Sequence, residues 1–252
     1  MINRRALPVL AALGCSLGTE PAPPEGSVRV LFVGNSLTYV NNLPLTVADL
    51  ASRAGLAGCY CVQVAYPDFA LSDHYILGDA LEAIEQGDYD FVVLQQGPSA
   101  LPDSRDELIT WAFNFAEFIA PYGSKTLMYG VWPSFARSFD FPNVRASYRA
   151  AADSVHGLFA PAGEAWQLAW QQDPTLPLYA GDQFHPSTMG TYLAAMVVFQ
   201  RIYGRSPVGV ETVAHVSGSQ QPWPAATVRL LQEAAAAANA AEDELPAART
   251  YR

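Results

Sequence analysis

The sequence has few basic residues and no cluster of them. Its 252 residues include 14 Lys and Arg against 24 Asp and Glu, which gives a formal net charge of −10. A protein without a basic patch has little electrostatic attraction for a nucleic acid backbone or for an anionic membrane surface. These two partners are therefore excluded as main ligands, and the expected substrate is a neutral or mildly polar small molecule.

Histidine and cysteine are also scarce, and long apolar runs are missing. The four His and three Cys residues show no spacing typical of a metal site, so no metal is expected. The N-terminal apolar run from Ala6 to Leu13 is too short to span a bilayer. It follows Arg4 and Arg5, and a charged region followed by an apolar region is typical of an export signal.

The export signal is predicted to occupy residues 1–15 and to end in the pair Gly14-Cys15. This pair resembles the lipobox of bacterial lipoproteins, in which the cysteine becomes the lipidated N-terminus. Residues 16–27 are rich in Pro, Gly and Ser and are expected to form a flexible tether. The protein is therefore expected outside the cytoplasm, anchored by lipid on Cys15, in the outer membrane if the cell has one. Ordinary secretion or release into the periplasm is the alternative.

The rest of the chain is predicted to form one α/β domain, residues 28–252. Half of all residues are hydrophobic, which is enough to bury the core of one large domain. Short apolar runs alternate with longer amphipathic stretches, as in βαβ units around a parallel sheet. Strands are predicted at 28–33, 61–65, 91–94, 126–131 and 158–161, and helices at 45–54, 72–86, 103–120, 143–158, 163–172, 186–203 and 225–241.

Three local features add further expectations. Ser72 and Asp103 are placed to cap their helices, and residues 204–224 are predicted to form a loop of no assigned role. Cys59 and Cys61 lie two positions apart near a predicted strand, so their side chains share a face. A bridge between them is conceivable in an oxidising compartment, but two buried thiols are the preferred interpretation.

Ser36 is a candidate nucleophile, because it follows an apolar strand and Gly34 and precedes residues that can start a helix. Backbone N–H groups at such a turn stabilise the negative charge on a carbonyl oxygen under attack. The same residues also make an ordinary turn cap. A serine hydroxyl needs a base, held in one tautomer by a carboxylate. Asp182 precedes His185 by three residues on a loop that opens a helix, which places the two side chains within reach of each other.

Together these motifs resemble the SGNH, or GDSL-like, hydrolase family. The block Phe32-Val33-Gly34-Asn35-Ser36-Leu37 and the block Asp182-Gln183-Phe184-His185-Pro186 are similar to the family's first and last blocks. The resemblance implies a three-layer α/β/α, flavodoxin-like fold with parallel strands in the order 2-1-3-4-5. It also implies Ser36 as nucleophile, His185 as general base and acid, and Asp182 as the orienting carboxylate. No Gly-x-Ser-x-Gly elbow, which is typical of α/β-hydrolases, surrounds Ser36.

The oxyanion hole departs from the family pattern. The family's glycine after the second strand and asparagine after the third are replaced by residues near Phe69 and by Gln95-Gln96. A backbone N–H near Phe69 and the amide of Gln96 are expected to take over as donors, together with the Ser36 N–H. Gln96 is preferred over Gln95, because alternation turns one of the two away from the cleft. Asn35, Tyr39, His74, Gln95 and Trp132 are predicted to line the substrate site.

The expected activity is hydrolysis of carboxylic esters through an acyl-enzyme, with no cofactor. Removal of a small acyl group from extracellular carbohydrate is the narrower expectation, by analogy with the family. Two alternatives stay open. One is a binding protein of the same fold without turnover, and the other is an acyltransferase that uses the same triad to pass the acyl group to a sugar hydroxyl. The sequence does not indicate the natural substrate, the acyl-chain length or the oligomeric state.

The lipobox-like pair yields a direct test. Changing Cys15→Ser removes the only thiol that a lipid could modify at the end of the export signal. We expect the protein to move from the membrane fraction to the soluble fraction when cells are fractionated and probed by immunoblot. Membrane association equal to that of the unchanged protein would contradict the lipid anchor.

Overall fold

The computed structural model describes residues 26–244. The predicted export signal (1–15), Cys15 and the predicted tether up to residue 25 lie outside the described residues, as do residues 245–252.

Five parallel strands form the central sheet, in the order β2-β1-β3-β4-β5. The first strand lies inside the sheet, between β2 and β3, and its residues Val30 to Val33 are apolar and fully buried, which suits a strand covered on both faces. The predicted α/β class and the strand order are thereby confirmed. The strands are β1 (Val28–Gly34), β2 (Cys59–Ala65), β3 (Phe91–Leu94), β4 (Lys125–Gly130) and β5 (Leu158–Pro161).

Nine α-helices occur in the described chain, and all but the short α1 form the two outer layers. On one side of the sheet α2, α7, α8 and α9 pack together, and on the other side α3 to α6 do so. No helix within residues 26–244 is both long and apolar enough to cross a bilayer. The helices are α1 (Ser36–Tyr39), α2 (Leu43–Arg53), α3 (Leu71–Leu77), α4 (Asp79–Gly87), α5 (Pro102–Ile119), α6 (Phe141–Ser154), α7 (Ala162–Gln172), α8 (Thr188–Tyr203) and α9 (Ala225–Asp243), with short 3-10 helices at Ala120–Tyr122 and Phe135–Asp140.

Two expectations about the helices were wrong. The single helix predicted at 72–86 is broken into α3 and α4 at Gly78, which adopts a left-handed conformation with φ of 94°. Ser72 and Asp103 do not cap their helices. The capping groups are Asp73, whose carboxylate accepts the N–H of Ala70 (2.8 Å), and Ser104 at the start of α5. In both cases the cap lies three residues into the helix rather than before it.

The predicted loop 204–224 contains a small antiparallel hairpin, β6 (His215–Val216) and β7 (Ser219–Gln220). Its turn is held against α2, because the Ser217 N–H donates to the Thr46 hydroxyl (3.1 Å) and the Gly218 N–H donates to the Asp49 carboxylate (2.7 Å). Side chains of α2 thus accept the two backbone N–H groups of the hairpin turn, which the hairpin's own strand pairing does not satisfy.

Cys59 and Cys61 form a disulfide in the structure, with their Cα atoms 5.4 Å apart. The preferred interpretation of two buried thiols was therefore wrong. Strand β2 is the edge of the sheet, and both cysteines are only partly buried. As residues two apart on one strand they share a face, and that face packs against the core.

The start of α8 packs against the interior through a glycine. A Cβ atom on Gly190 would lie 2.3 Å from the Leu178 carbonyl oxygen and 2.5 Å from the Trp166 ring. The same Leu178 carbonyl accepts the Ser187 N–H (2.8 Å). The absence of a side chain at this position therefore lets α8 close onto the segment that precedes it.

Gly190→Ala is expected to lower the free energy of unfolding by about 1–3 kcal/mol, the usual cost of overpacking. The higher helix propensity of alanine alone would raise stability by about 1 kcal/mol. Overpacking and helix propensity therefore predict changes of opposite sign. The measurement is urea unfolding followed by circular dichroism. The exposed Thr188→Ala in the same turn is the control and should change stability little. A more stable Gly190→Ala protein would contradict the close packing.

Candidate active site

Ser36 lies at the turn between β1 and α1. Asn35 caps the helix, because its Oδ1 accepts the Leu37 N–H (3.1 Å). Its Nδ2 also donates to the Phe69 carbonyl (3.0 Å), which ties the turn to the segment after β2. Ser36 lines a cleft of about 310 Å³. Within residues 26–244 neither its hydroxyl nor its backbone N–H forms a hydrogen bond. Both groups are therefore available to a substrate carbonyl.

The turn is fixed by the side-chain amide of Gln95, which follows β3 and is fully buried. Its Oε1 accepts the Asn35 N–H (2.9 Å) and the Thr38 hydroxyl (2.8 Å), and its Nε2 donates to Asn35 Oδ1 (2.9 Å). A Cβ atom on Gly34 would lie 2.4 Å from Gln95 Oε1, so a glycine is needed there. The prediction that Gln95 lines the substrate site was wrong, because its buried amide is bonded to the turn that carries Ser36.

Asp182 and His185 form the expected pair. His185 Nδ1 lies 2.5 Å from Asp182 Oδ2, and Asp182 Oδ1 accepts the backbone N–H groups of Phe184 and His185 (both 3.0 Å). The His185 hydrogen bond, followed by that of the Phe184 N–H, lowers the pKa of Asp182 to about 2. The carboxylate is ionised at neutral pH and can only accept, so Nδ1 carries the proton and Nε2 is left free to act as a base.

The loop that carries this pair is tied at both ends. Tyr179 and Pro186 form an antiparallel bridge, and the Ala180 N–H donates to the His185 carbonyl (2.8 Å). Trp132 supports the loop from below, since its Nε1 donates to the Phe184 carbonyl (3.1 Å). Trp132 is fully buried and its ring stacks on Trp166 with 3.7 Å between centroids. The prediction that Trp132 lines the substrate site was therefore wrong.

Asn41, which follows helix α1, joins the Ser36 segment to the loop that carries Asp182 and His185, which we call the histidine loop. Its Nδ2 donates to the Pro186 carbonyl and to the Thr191 hydroxyl (both 3.0 Å). Phe184, the residue before His185, lines the same cleft as Ser36. No hydrogen bond joins Ser36 to His185 in the described chain, and such bonds often form fully only when substrate is present.

Sequence reasoning did not single out Asn41. The available signal was its type, since asparagine tolerates the left-handed backbone that Asn41 adopts with φ of 56°. A left-handed residue just after α1 marks the place where the chain turns toward another segment.

Gln96 lines the cleft and keeps a donor for it. Its Oε1 accepts the Leu71 N–H (3.1 Å), which fixes the orientation of the amide, and its Nε2 donates to the Ser99 hydroxyl (2.8 Å). An amide nitrogen carries two hydrogens, so the second one is free. Phe69 also lines the cleft, but its N–H makes a long bond to the Tyr66 carbonyl (3.4 Å), and its role as a donor stays a prediction.

His74 and Tyr39 lie outside the residues that line this cleft. His74 is fully buried, and its Nε2 donates to the Gly34 carbonyl (2.7 Å). Burial lowers the pKa of His74, so the ring is neutral and supports the turn from behind. The predicted lining role of His74 was wrong. Tyr39 ends α1 and is half-buried. Within residues 26–244 no His, Cys, Asp and Glu side chains group as metal ligands.

Solved structures share this arrangement of strands and helices. A protein of the DUF4886 family from Bacteroides uniformis superposes with a TM-score of 0.72 at 17% identity, covering 88% of this chain and 98% of that one. A candidate SGNH hydrolase from Slackia heliotrinireducens gives 0.59 at 23% identity, covering 69% and 98%. The chain has the SGNH hydrolase fold. An acetyl xylan esterase from Geobacillus stearothermophilus gives 0.56 at 16% identity, covering 71% of this chain and 96% of the esterase. No protein-family model and no curated protein sequence matches the chain.

We expect different outcomes when Gln95 and Gln96 are each replaced by alanine, one on stability and the other on catalysis. Gln96→Ala removes a candidate oxyanion donor and should lower kcat by about 100-fold with little change in KM. Gln95→Ala leaves the buried Asn35 N–H without an acceptor and should lower the free energy of unfolding by about 1–3 kcal/mol. Ester-hydrolysis kinetics and urea unfolding separate the two effects. Unchanged stability in Gln95→Ala would contradict its role in holding the turn.

Proposed function

We propose that the protein is a serine esterase that hydrolyses carboxylic esters through an acyl-enzyme. The observation that carries this proposal is the bond of 2.5 Å between the Asp182 carboxylate and His185 Nδ1, on a loop whose residue Phe184 lines the same cleft as Ser36. A hydroxyl, an imidazole and a carboxylate in this order form the charge-stabilised system that serine hydrolases use.

In the proposed reaction, Ser36 Oγ attacks the ester carbonyl carbon while its proton passes to His185 Nε2. The tetrahedral intermediate collapses, the C–O bond to the alcohol breaks, and His185 gives the proton to the leaving oxygen. Water then attacks the acyl-enzyme with His185 again as base, and the acid and free Ser36 are released. Asp182 stabilises the imidazolium and keeps Nδ1 protonated throughout.

The developing negative charge needs donors at the cleft. The Ser36 N–H and the second N–H of Gln96 Nε2 support an oxyanion hole, since neither has an acceptor in the described chain. Donors fixed before the reaction stabilise the transition state without further reorganisation. Gln95 and His74 contribute indirectly, by holding the turn that carries the Ser36 N–H.

We further propose that the acyl group is small and that the alcohol is a carbohydrate. The cleft of about 310 Å³ lies at the lower end of the range for small-molecule sites, which suits an acetyl group better than a long chain. The acetyl xylan esterase of similar fold supports a sugar as the alcohol. The predicted export of the protein agrees with a polymeric substrate outside the cell.

Replacing the proposed triad tests this function. Ser36→Ala and His185→Ala should each lower the hydrolysis of p-nitrophenyl acetate by about four to six orders of magnitude, and the double variant should be scarcely worse, because each change removes the same nucleophilic step. Asp182→Ala should retain more activity, because nucleophile and base are intact. Ser72→Ala, a serine outside the cleft, is the control and should keep full activity.

The same assay decides between the alternatives. An unchanged protein that does not release p-nitrophenol would indicate a binding protein of this fold. Transfer of acetyl to added xylose in preference to water, followed by mass spectrometry, would indicate an acyltransferase. Full activity in His185→Ala would overturn the assignment of the base.

A further inference from the structure

A second cavity adjoins the histidine loop. Its volume is about 500 Å³, within the range of roughly 300–1,000 Å³ that small-molecule sites occupy. Gln183 lines this cavity, whereas Phe184, the next residue, lines the cleft of Ser36. One loop thus separates the two spaces. We call this space the aromatic cavity; the residues that define it are Phe135, Phe141, Gln167, Trp170, Tyr179 and Gln183.

The rings of the aromatic cavity are held rigidly with their polar atoms already bound. Trp170 Nε1 donates to the Leu176 carbonyl (2.9 Å), and the Tyr179 hydroxyl donates to the Pro133 carbonyl (2.6 Å). The centroids of Trp170 and Tyr179 lie 5.6 Å apart, and Phe135 meets Tyr179 edge-on at 6.0 Å. What these side chains present to a ligand is therefore flat apolar surface.

The side-chain amides of the aromatic cavity are uncharged and have no partner within the described chain. The side-chain amides of Gln167 and Gln183 form no hydrogen bond within residues 26–244, and none of the described residues lining the cavity is charged. An acyl chain would cover these amides without offering them partners, which costs free energy. A polyhydroxylated ligand satisfies them. An anionic ligand would find no cation there and would meet a protein of net charge −10.

We propose that the aromatic cavity binds a neutral sugar ring of the substrate chain, beyond the unit whose ester is hydrolysed. Ring faces of Phe135, Trp170 and Tyr179 pack against the C–H faces of the sugar, and the amides of Gln167 and Gln183 bind its hydroxyls. Its place as part of a substrate rests on the proposed esterase function, whereas binding itself does not. The cavity would give the enzyme a preference for chains over single acetylated sugars.

Binding is tested on the full chain carrying Ser36→Ala, so that no turnover interferes. Isothermal titration calorimetry uses xylopentaose and cellopentaose as neutral probes, trigalacturonic acid as an anionic probe and octanol as an apolar probe. We expect binding of at least one neutral sugar and no measurable binding of trigalacturonic acid. Adding Phe135→Ala should weaken sugar binding about fivefold to tenfold, as expected for loss of one aromatic contact, and adding Gln167→Ala should also weaken it.

A matched phenylalanine provides the control. Phe113 on α5 is 50% exposed, close to the 57% of Phe135, and it lines neither cavity. Phe113→Ala should leave sugar binding unchanged, and circular dichroism checks that each variant is folded. No binding of either neutral sugar, equal losses in the two phenylalanine variants, or octanol binding without sugar binding would each overturn the proposal.

The proposed esterase function is judged separately. If the unchanged protein hydrolyses p-nitrophenyl acetate but the Ser36→Ala protein binds no sugar, only the sugar site fails. If sugars bind through Phe135 but no ester is hydrolysed, the site stands and the esterase function fails.

Discussion

The side-chain amide of Gln95 is the contact on which the geometry of the site depends. It forms hydrogen bonds to Asn35 through both its oxygen and its nitrogen, and its oxygen also accepts a hydrogen bond from the Thr38 hydroxyl. Because this amide is fully buried, water cannot replace it, and a broken bond would leave a polar group unpaired. The position of the Ser36 hydroxyl is thus set by a side chain that is itself fully buried.

A second group of contacts fixes the histidine loop relative to the Ser36 turn and the sheet. Asn41 reaches Pro186, 145 residues away in sequence, and Trp132 holds the Phe184 carbonyl from the interior. Asp182 itself is exposed. Its lowered pKa therefore comes from its hydrogen bonds to His185 and Phe184 and not from burial. The orientation of His185 therefore depends on the stiffness of the loop, and that stiffness comes from the stacked Trp132 and Trp166 beneath it.

Much of the fold could be predicted from the sequence, because a strand such as β1 is continuously apolar and the first and last motifs resemble one known family. The roles of Gln95 and Trp132 could not. Alternation predicts that Gln95 and Gln96 face different ways, but only the meeting of two strand ends shows that Gln95 bonds to Asn35, 60 residues away. Trp132 is buried because α7 brings Trp166 onto it. Such long-range contacts leave no local pattern in the chain.

The disulfide of β2 has a consequence for how this protein behaves in a crowded solution. A cross-link between residues two apart closes so small a loop that it removes little entropy from the unfolded chain, so its effect is local. Within residues 26–244, the sheet ends at β2, which pairs with β1, and edge strands can recruit strands from other molecules. The bridge between Cys59 and Cys61 constrains the backbone of this edge. We expect this constraint to make the edge a poorer template for intermolecular pairing and aggregation, and we expect reduction of the bridge to remove that protection while leaving the fold itself in place.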